Sequence, residues 1–346
     1  MKNRRTNKGF EINGHTVKPG ESKLIELQAG ELYTHTPVTI PVRVISGKIS
    51  GPILFISGAI HGDELNGVEI IRRLLFHKSI TNLRGTLIAV PVVNIHGFLA
   101  HNRYLPDRRD LNRSFPGNEY GSLASRLAKL FSEEIVDKCT HGIDLHTASG
   151  HRYNLPQIRA YLDNDESVKL ANAFGAPVIL NSNLRDGSLR QSVVESGKPF
   201  LLYEAGEVLR FDEFAIRLGV AGLISVMRTI GMLKGRPYKP KFKTVIANSS
   251  TWVRAPQSGI LRIHAPLGRH VAKGDLLGRI SGLMGENEIK IESPTDGVII
   301  SNIHLPLVNE GDALFHIARF KGSKRDPADL TILEDLDPDE VYPQFP

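Results

Sequence analysis

The strongest constraint on the fold is a rhythm of short apolar runs that alternate with segments of helical spacing between residues 53 and 233. The apolar runs are Ile53–Ile56, Thr86–Val93, Gly142–Leu145, Pro177–Leu180 and Phe200–Tyr203, and the helical segments are Val68–Phe76, Leu123–Val136, Val168–Phe174 and about Phe211–Leu233. Strands that alternate with helices favour a mainly parallel sheet covered by helices on both faces. The sequence therefore predicts an α/β fold with a mixed, mainly parallel sheet, and functional residues are expected where strands end and loops begin.

Both flanks of this region lack the helical rhythm. Residues 10 to 50 alternate apolar and polar side chains, as in Val38–Val44, which predicts antiparallel strands. After Gly235, a linker at 236–241 leads into short segments separated by Pro and Gly turns, which predict a small all-β domain. We therefore expect an N-terminal β segment at 1–50, the α/β domain at 51–235, a C-terminal β domain at 236–320 and an acidic tail at 321–346.

Composition limits the partners and the chemistry. The 346 residues contain a single cysteine, Cys139, so no disulfide can form within the chain and a metal must be held by His and carboxylates. No run of about 20 apolar residues occurs, so we expect a cytoplasmic protein without a membrane partner. The net charge of +6 comes without a long basic stripe interleaved with aromatics, which favours a small anionic substrate over nucleic acid.

Three side chains at predicted strand ends suit a metal. His61 and Glu64 stand three residues apart in the Gly-rich stretch GAIHGDELNG, and His146 ends the apolar stretch Gly142–His146. Two His and one Glu leave the fourth position of zinc open for water, as in catalytic sites. The alternative is structural: His61 bonds the loop backbone, Glu64 caps the helix, and His146 is a hydrogen-bonded core histidine.

Carboxylates near these strand ends have predicted supporting roles. Asp144 lies two residues before His146, on the same face of a strand, and is expected to orient a ligand. Glu204 follows the run Phe200–Tyr203 and is the candidate general base, with Glu207 as the near alternative. The competing interpretation of either glutamate is a solvated loop acid.

The stretch HNRYLPDRRDLNRSFPG, residues 101–117, is the predicted substrate-binding loop. It holds four arginines, Arg103, Arg108, Arg109 and Arg113, with Asn112 as a neutral donor. Arginine binds carboxylates bidentately and can stabilise a developing oxyanion, so the loop suits an anionic substrate. One of Arg108 and Arg109 is expected to be simply exposed.

With these residues assembled, the chain resembles the succinylglutamate desuccinylase and aspartoacylase family, which is related to the zinc carboxypeptidases. The resemblance covers about residues 50–235 and rests on GAIHGDELNG, RDLNRSFPG, GIDLHTA and LLYEAGE occurring in that order. It implies a zinc hydrolase domain with one zinc per chain, held by His61, Glu64 and His146, and with Glu204 as general base or acid. It also implies that Asn112 and Arg113 hold substrate and that Arg103 polarises the carbonyl, although the spacing leaves Arg109 open for that role.

The C-terminal part is similar to biotinyl and lipoyl carrier domains. In such carriers the modified lysine lies in a tight turn, but here the turn reads Met284-Gly285-Glu286. We therefore expect an unmodified β domain that shapes or covers the active site.

These observations predict a zinc-dependent amidohydrolase that acts on a small N-acyl amino acid or a short peptide. A metallocarboxypeptidase that acts on peptides or on a protein C-terminus is the second hypothesis, and a non-catalytic scaffold is the third. The sequence leaves the acyl group, the amino acid and the oligomeric state open, including a homo-oligomer.

Overall fold

The computed structural model describes residues 5–238, 242 and 244–320. Within these residues the strands are β1 Phe10–Ile12, β2 His15–Val17, β3 Ser22–Glu31, β4 Pro37–Ser46, β5 Ile49–Gly58, β6 Arg84–Val90, β7 His141–Ala148, β8 Arg152–Ala160, β9 Val178–Asn181, β10 Phe200–Glu207, β11 Val245–Ala247, β12 Ser249–Arg254, β13 Gly259–Ile263, β14 His270–Val271, β15 Leu276–Ser281, β16 Ile289–Glu292, β17 Gly297–Ile303, β18 Leu307–Val308 and β19 Ala313–Arg319. The α-helices are α1 Asn66–Phe76, α2 Ile95–Leu99, α3 Leu123–Phe131, α4 Asp165–Phe174, α5 Leu189–Glu195 and α6 Glu213–Thr229.

A 13-stranded mixed sheet organises the molecule, with its main path in the order β12-β19-β17-β8-β10-β7-β5-β6-β4-β3. Its centre is parallel, because β5 pairs in parallel with β6 and β7, and β7 pairs in parallel with β10. Antiparallel pairs extend the sheet on both sides, through β4 and β3 on one and through β8 and β17 on the other. The predicted α/β class with a mixed sheet flanked by helices is confirmed.

Helices cover both faces of the sheet and create two separate cores. On one face, Ile70 of α1 and Phe174 of α4 pack with the apolar side of α6. On the other face, Phe131 of α3 and Val193 of α5 pack with Phe55 of the central strand β5. Because helices cover both faces, the central strands are buried along nearly their whole length, and this burial of apolar surface stabilises the fold.

The C-terminal strands do not form an isolated body. β17 pairs with β8, placing Ser301 opposite Asn154, so that β17, β19 and β12 continue the main sheet. Strands β16, β15, β13 and β18 make a separate four-stranded sheet, which shares a small core with the C-terminal strands of the main sheet, as Leu277 of β15 and Leu314 of β19 show. The predicted boundaries at 235 and 320 remain predictions, and the predicted acidic tail at 321–346 lies outside the described residues.

No helix in the described part of the chain is long and apolar enough to cross a membrane.

Candidate metal centre and substrate cavity

Two adjacent parallel strands bring the predicted metal ligands together. β5 ends at Gly58, opposite Leu145 of β7, while β7 continues to Ala148 beside β10. The loop after β5 carries His61 and Glu64, and His146 lies one residue beyond Leu145. This loop packs closely on α2: a Cβ on residue 62 would lie 1.9 Å from the backbone carbon of Gly97, so only glycine fits there.

The three side chains converge on one point. His61, Glu64 and His146 each offer a ligand atom, and these atoms all lie within 4.8 Å of one another. Nδ1 of His61 is 2.7 Å from one Glu64 oxygen, and Nδ1 of His146 is 2.8 Å from the other. All three side chains are at most 4% exposed. A buried set of two imidazoles and one carboxylate matches the ligand set of catalytic zinc sites.

The second nitrogen of each imidazole is held by a carboxylate. Nε2 of His61 lies 3.1 Å from Asp110, and Nε2 of His146 lies 2.7 Å from Asp144, which itself accepts a hydrogen bond from the Ser57 hydroxyl. With the proton of each neutral imidazole held on Nε2 by these carboxylates, each Nδ1 would offer its lone pair to a cation. Asp144 takes the place predicted for it, whereas Asp110 was not singled out from the sequence.

The electrostatics of the cluster also suit a cation. Burial lowers the pKa of His61 and His146, but the neighbouring carboxylates outweigh it and raise both pKa values. Burial raises the pKa of Glu64, yet the two imidazoles hold it well below its usual range. Three carboxylates, those of Glu64, Asp110 and Asp144, contact the two imidazoles, and a bound divalent ion would help to balance their charge.

A cavity of about 190 Å³ opens beside these ligands. Its lining includes six arginines but only two carboxylates, those of Glu64 and Glu204. The arginines are Arg103, Arg113, Arg152, Arg159, Arg185 and Arg190. Burial and then the neighbouring Arg159 lower the pKa of Arg190 to about 10. The cavity therefore favours an anionic ligand.

Most of the predicted substrate-binding residues line this cavity, but one does not. Arg103, Asn112 and Arg113 are in the lining. Arg109 is not: its side chain is 64% exposed and lies 3.9 Å from Asp107. Arg109 therefore lies apart from Asn112 and Arg113, with which it shares the predicted substrate-binding loop.

The two candidate bases face different spaces. Glu204 lines the cavity beside the metal ligands, and its backbone pairs with His146 across β10 and β7. Glu207 lines a second cavity, of about 480 Å³, where it lies 3.1 Å from His304. A register shift in β10 lies between these two residues.

Several lining residues were missed by sequence reasoning. They are Arg152, Asn154 and Arg159 of β8, Arg185 and Arg190 around the start of α5, and Trp252 and Ser301 from the C-terminal strands. They stand singly in the sequence rather than in a charge run. The pairing of β8 with β10 and β17 brings the residues of β8 and Ser301 to the site.

Comparison with known proteins agrees with this geometry. Residues 50–230 match the model of the succinylglutamate desuccinylase/aspartoacylase catalytic domain. The N-alpha-acetyl-L-2,4-diaminobutyric acid deacetylase of Halomonas elongata is 27% identical over 294 residues, which cover 81% of this chain and 86% of that protein.

Solved structures share the fold over most of the chain. The product-bound ectoine utilization protein EutE (DoeB) from Ruegeria pomeroyi is 27% identical, with a TM-score of 0.78 over 86% of this chain and 94% of that one. A succinylglutamate desuccinylase/aspartoacylase from Rhodobacter sphaeroides, 24% identical, has a TM-score of 0.78 over 88% of this chain and 96% of that one. The similarity to the Rhodobacter sphaeroides protein is evidence for the fold of this chain and not for its activity.

Proposed function

Because the chain belongs to the succinylglutamate desuccinylase/aspartoacylase family, we propose that it is a zinc-dependent amidohydrolase that removes the acyl group from a small anionic N-acyl amino acid. The observation that carries the proposal is the buried triad of His61, Glu64 and His146 beside an arginine-lined cavity that also contains Glu204. A structural role would not require this cavity at the open side of the triad.

The residues divide the work of amide hydrolysis. Zinc held by His61, Glu64 and His146 would supply Lewis-acid polarisation of the carbonyl and activation of water. Glu204 accepts a proton from the attacking water and returns a proton to the leaving nitrogen, as a carbon–oxygen bond forms and the carbon–nitrogen bond breaks. Arg103, at the cavity wall and 3.3 Å from Glu64, donates hydrogen bonds to the developing oxyanion.

The cavity also defines the charge of the substrate. Arg113 and Asn112 would hold the carboxylate of the amino acid, with the Asn112 carboxamide fixed by a 2.9 Å hydrogen bond from the backbone N–H of Leu189. The diaminobutyrate named for the Halomonas relative carries a side-chain ammonium. Six arginines would repel such a group, so we propose that this chain takes an N-acyl amino acid with an uncharged or acidic side chain.

The size of the cavity favours a small molecule over a peptide. A volume of about 190 Å³ leaves little room beyond an acylated amino acid, and Trp252 and Ser301 line the cavity on the side of the C-terminal strands. A metallocarboxypeptidase would hydrolyse longer peptides faster than N-acyl amino acids, so a length series of substrates separates the two activities.

The exchange Glu204→Gln tests the mechanism. The amide cannot accept the proton, so kcat should fall by roughly 10²- to 10⁴-fold while the protein keeps its zinc. Activity is measured on a panel of N-acetyl-L-amino acids, and zinc by elemental analysis of the purified protein. Glu207→Gln is the matched control and should keep normal activity. Normal turnover by Glu204→Gln, or a wild-type protein that holds no zinc, would refute the proposal.

A further inference from the structure

Two side chains of the neighbouring strand contact the carboxylate of Glu204, the proposed base. Nδ2 of Asn154 donates a hydrogen bond of 2.5 Å to one oxygen of Glu204. Nε of Arg159 lies 3.3 Å from the other oxygen. Both partners belong to β8, and all three side chains line the substrate cavity. Asn154 is buried and Glu204 is mostly buried, so water screens neither contact strongly.

Strand pairing fixes where these two side chains stand. Arg159 pairs with Leu202, two residues before Glu204, so its side chain leaves the sheet on the same face as the base. Asn154 pairs with Gly206 of β10, although the regular register would bring residue 155 to that position. This bulge in β8 turns Asn154 to the face of Glu204, as bulges near active sites commonly re-aim a side chain.

The far side of β8 is fixed as well. Asn154 pairs with Ser301 of β17, so the strand that holds the base lies between β10 and the C-terminal strands. The C-terminal part of the chain thereby supports the strand that contacts the base.

A general base must be held in a defined orientation. An ionised carboxylate has about four lone-pair sites, so the hydrogen bond from Asn154 and the ion pair with Arg159 leave room for a bond to the attacking water. A general base must lie within about 2.6 to 3.2 Å of the proton it removes. Arg185 and Arg190 also line the cavity, and without Asn154 and Arg159 the carboxylate of Glu204 would be free to turn toward them.

We propose that Asn154 and Arg159 are positioning residues that hold Glu204 in the orientation needed for catalysis. Asn154 has the shorter contact and is the principal one of the two. This inference rests on the proposed role of Glu204 as the base.

Two variants of Asn154 separate positioning from packing. Asn154→Ala removes the donor, and Asn154→Asp keeps the shape but places an acceptor against the carboxylate. Each should lower kcat by about 10- to 100-fold, as displacement of a catalytic group by about 1 Å does, and should leave KM and zinc content unchanged. The probe is the N-acetyl-L-amino acid that the wild type hydrolyses fastest. Asn302→Ala, on the opposite face of β17, is the control and should be unaffected.

A double variant shows whether Asn154 acts through Glu204. In the Glu204→Gln background, adding Asn154→Ala should slow the enzyme no further, because residues that act as one unit are not additive. If Asn154→Ala caused an independent structural defect, the double variant would lose as much further activity as Asn154→Ala loses on its own. A crystal structure of Asn154→Ala should show the Glu204 carboxylate turned away from its wild-type position.

The outcomes distinguish the two proposals. If Glu204→Gln works normally, the assignment of the base fails whatever Asn154 does. If Glu204→Gln is inactive but Asn154→Ala and Asn154→Asp match the wild type, or if the carboxylate is unmoved in the crystal, the positioning role is wrong.

Discussion

At the scale of single residues, the candidate metal centre depends on what holds the imidazoles as much as on the imidazoles themselves. Asp110 and Asp144 each accept a hydrogen bond from the Nε2 of one histidine, and so both Nδ1 atoms face Glu64. Asp110 has a second task, because its carboxylate also accepts a 2.9 Å hydrogen bond from Arg103. One side chain thus orients a proposed metal ligand and the arginine proposed to stabilise the oxyanion.

The exchange Asp110→Asn should weaken zinc binding by about 10- to 100-fold, as loss of a carboxylate behind a ligating histidine commonly does. The amide can offer its N–H to Nε2, which would favour the wrong tautomer of His61. Competition with a chromogenic chelator measures the affinity. Asp137→Asn, on the exposed surface, is the control. Unchanged affinity in Asp110→Asn would show that the contact with His61 does not support metal binding.

At the scale of elements, the strand ends that carry His61, Glu64, His146 and Glu204 could be predicted because each follows an apolar run in the sequence. The partners of these residues could not be predicted in this way. Asn154 meets Glu204 only through a bulge and a long-range antiparallel pairing, neither of which leaves a local signal. Arg109 shows that closeness in the sequence can also mislead. Its neighbours Asn112 and Arg113 line the cavity, whereas the side chain of Arg109 is exposed to solvent.

The packing of α1 on α6 includes an ion-pair network that sequence periodicity does not reveal. Arg73 of α1 donates hydrogen bonds of 2.8 and 2.9 Å to Glu213 at the start of α6 and one of 2.7 Å to Glu69. Arg73 is the main cause of the low pKa of Glu213, which is about 2, and Arg72 is the main cause of the lowered pKa of Glu69. The network ties the two helices at the surface above their shared core.

This network predicts a pH-dependent contribution to stability. A carboxyl group with a lowered pKa stabilises the fold above its unfolded pKa, near 4.5, and loses that contribution as the pH falls toward about 2. Arg73→Met should therefore lower the free energy of unfolding by about 1 kcal/mol or less at pH 7, since Glu213 is 45% exposed. The difference from wild type should shrink below pH 4.5. Thermal unfolding across this pH range measures it, and Arg109→Met is the control; a difference that grows in acid would contradict the assignment.

At the scale of the whole molecule, the composition of the C-terminal part predicted a separate β domain, and this division stays a prediction, because its four-stranded sheet shares a core with strands of the main sheet. The continuation of the main sheet through β17, β19 and β12 could not be foreseen, because hydrophobic patterning predicts that a strand exists but not which distant strand it joins. The cavity is completed by this continuation, since Trp252 and Ser301 line it.

We predict that the two parts unfold together, because breaking the pair of β17 with β8 would expose buried strands on both sides. Trp252 is the only tryptophan and reports on the C-terminal part, while the helices that dominate the far-ultraviolet circular dichroism lie elsewhere in the chain. Fluorescence and circular dichroism should give the same midpoint in urea. A fluorescence transition at clearly lower urea would show that the C-terminal strands detach first.

The arginine lining has a consequence for the end of the reaction cycle. Hydrolysis converts a neutral amide into a carboxylate, so the acyl product carries one more negative charge than the same group had in the substrate. In the proposed reaction, the arginine-lined walls would hold this product more firmly than the substrate. Release of the acid product, rather than bond cleavage, would then limit the rate of turnover. Added salt would speed this release by screening the attraction between the acid and the arginines.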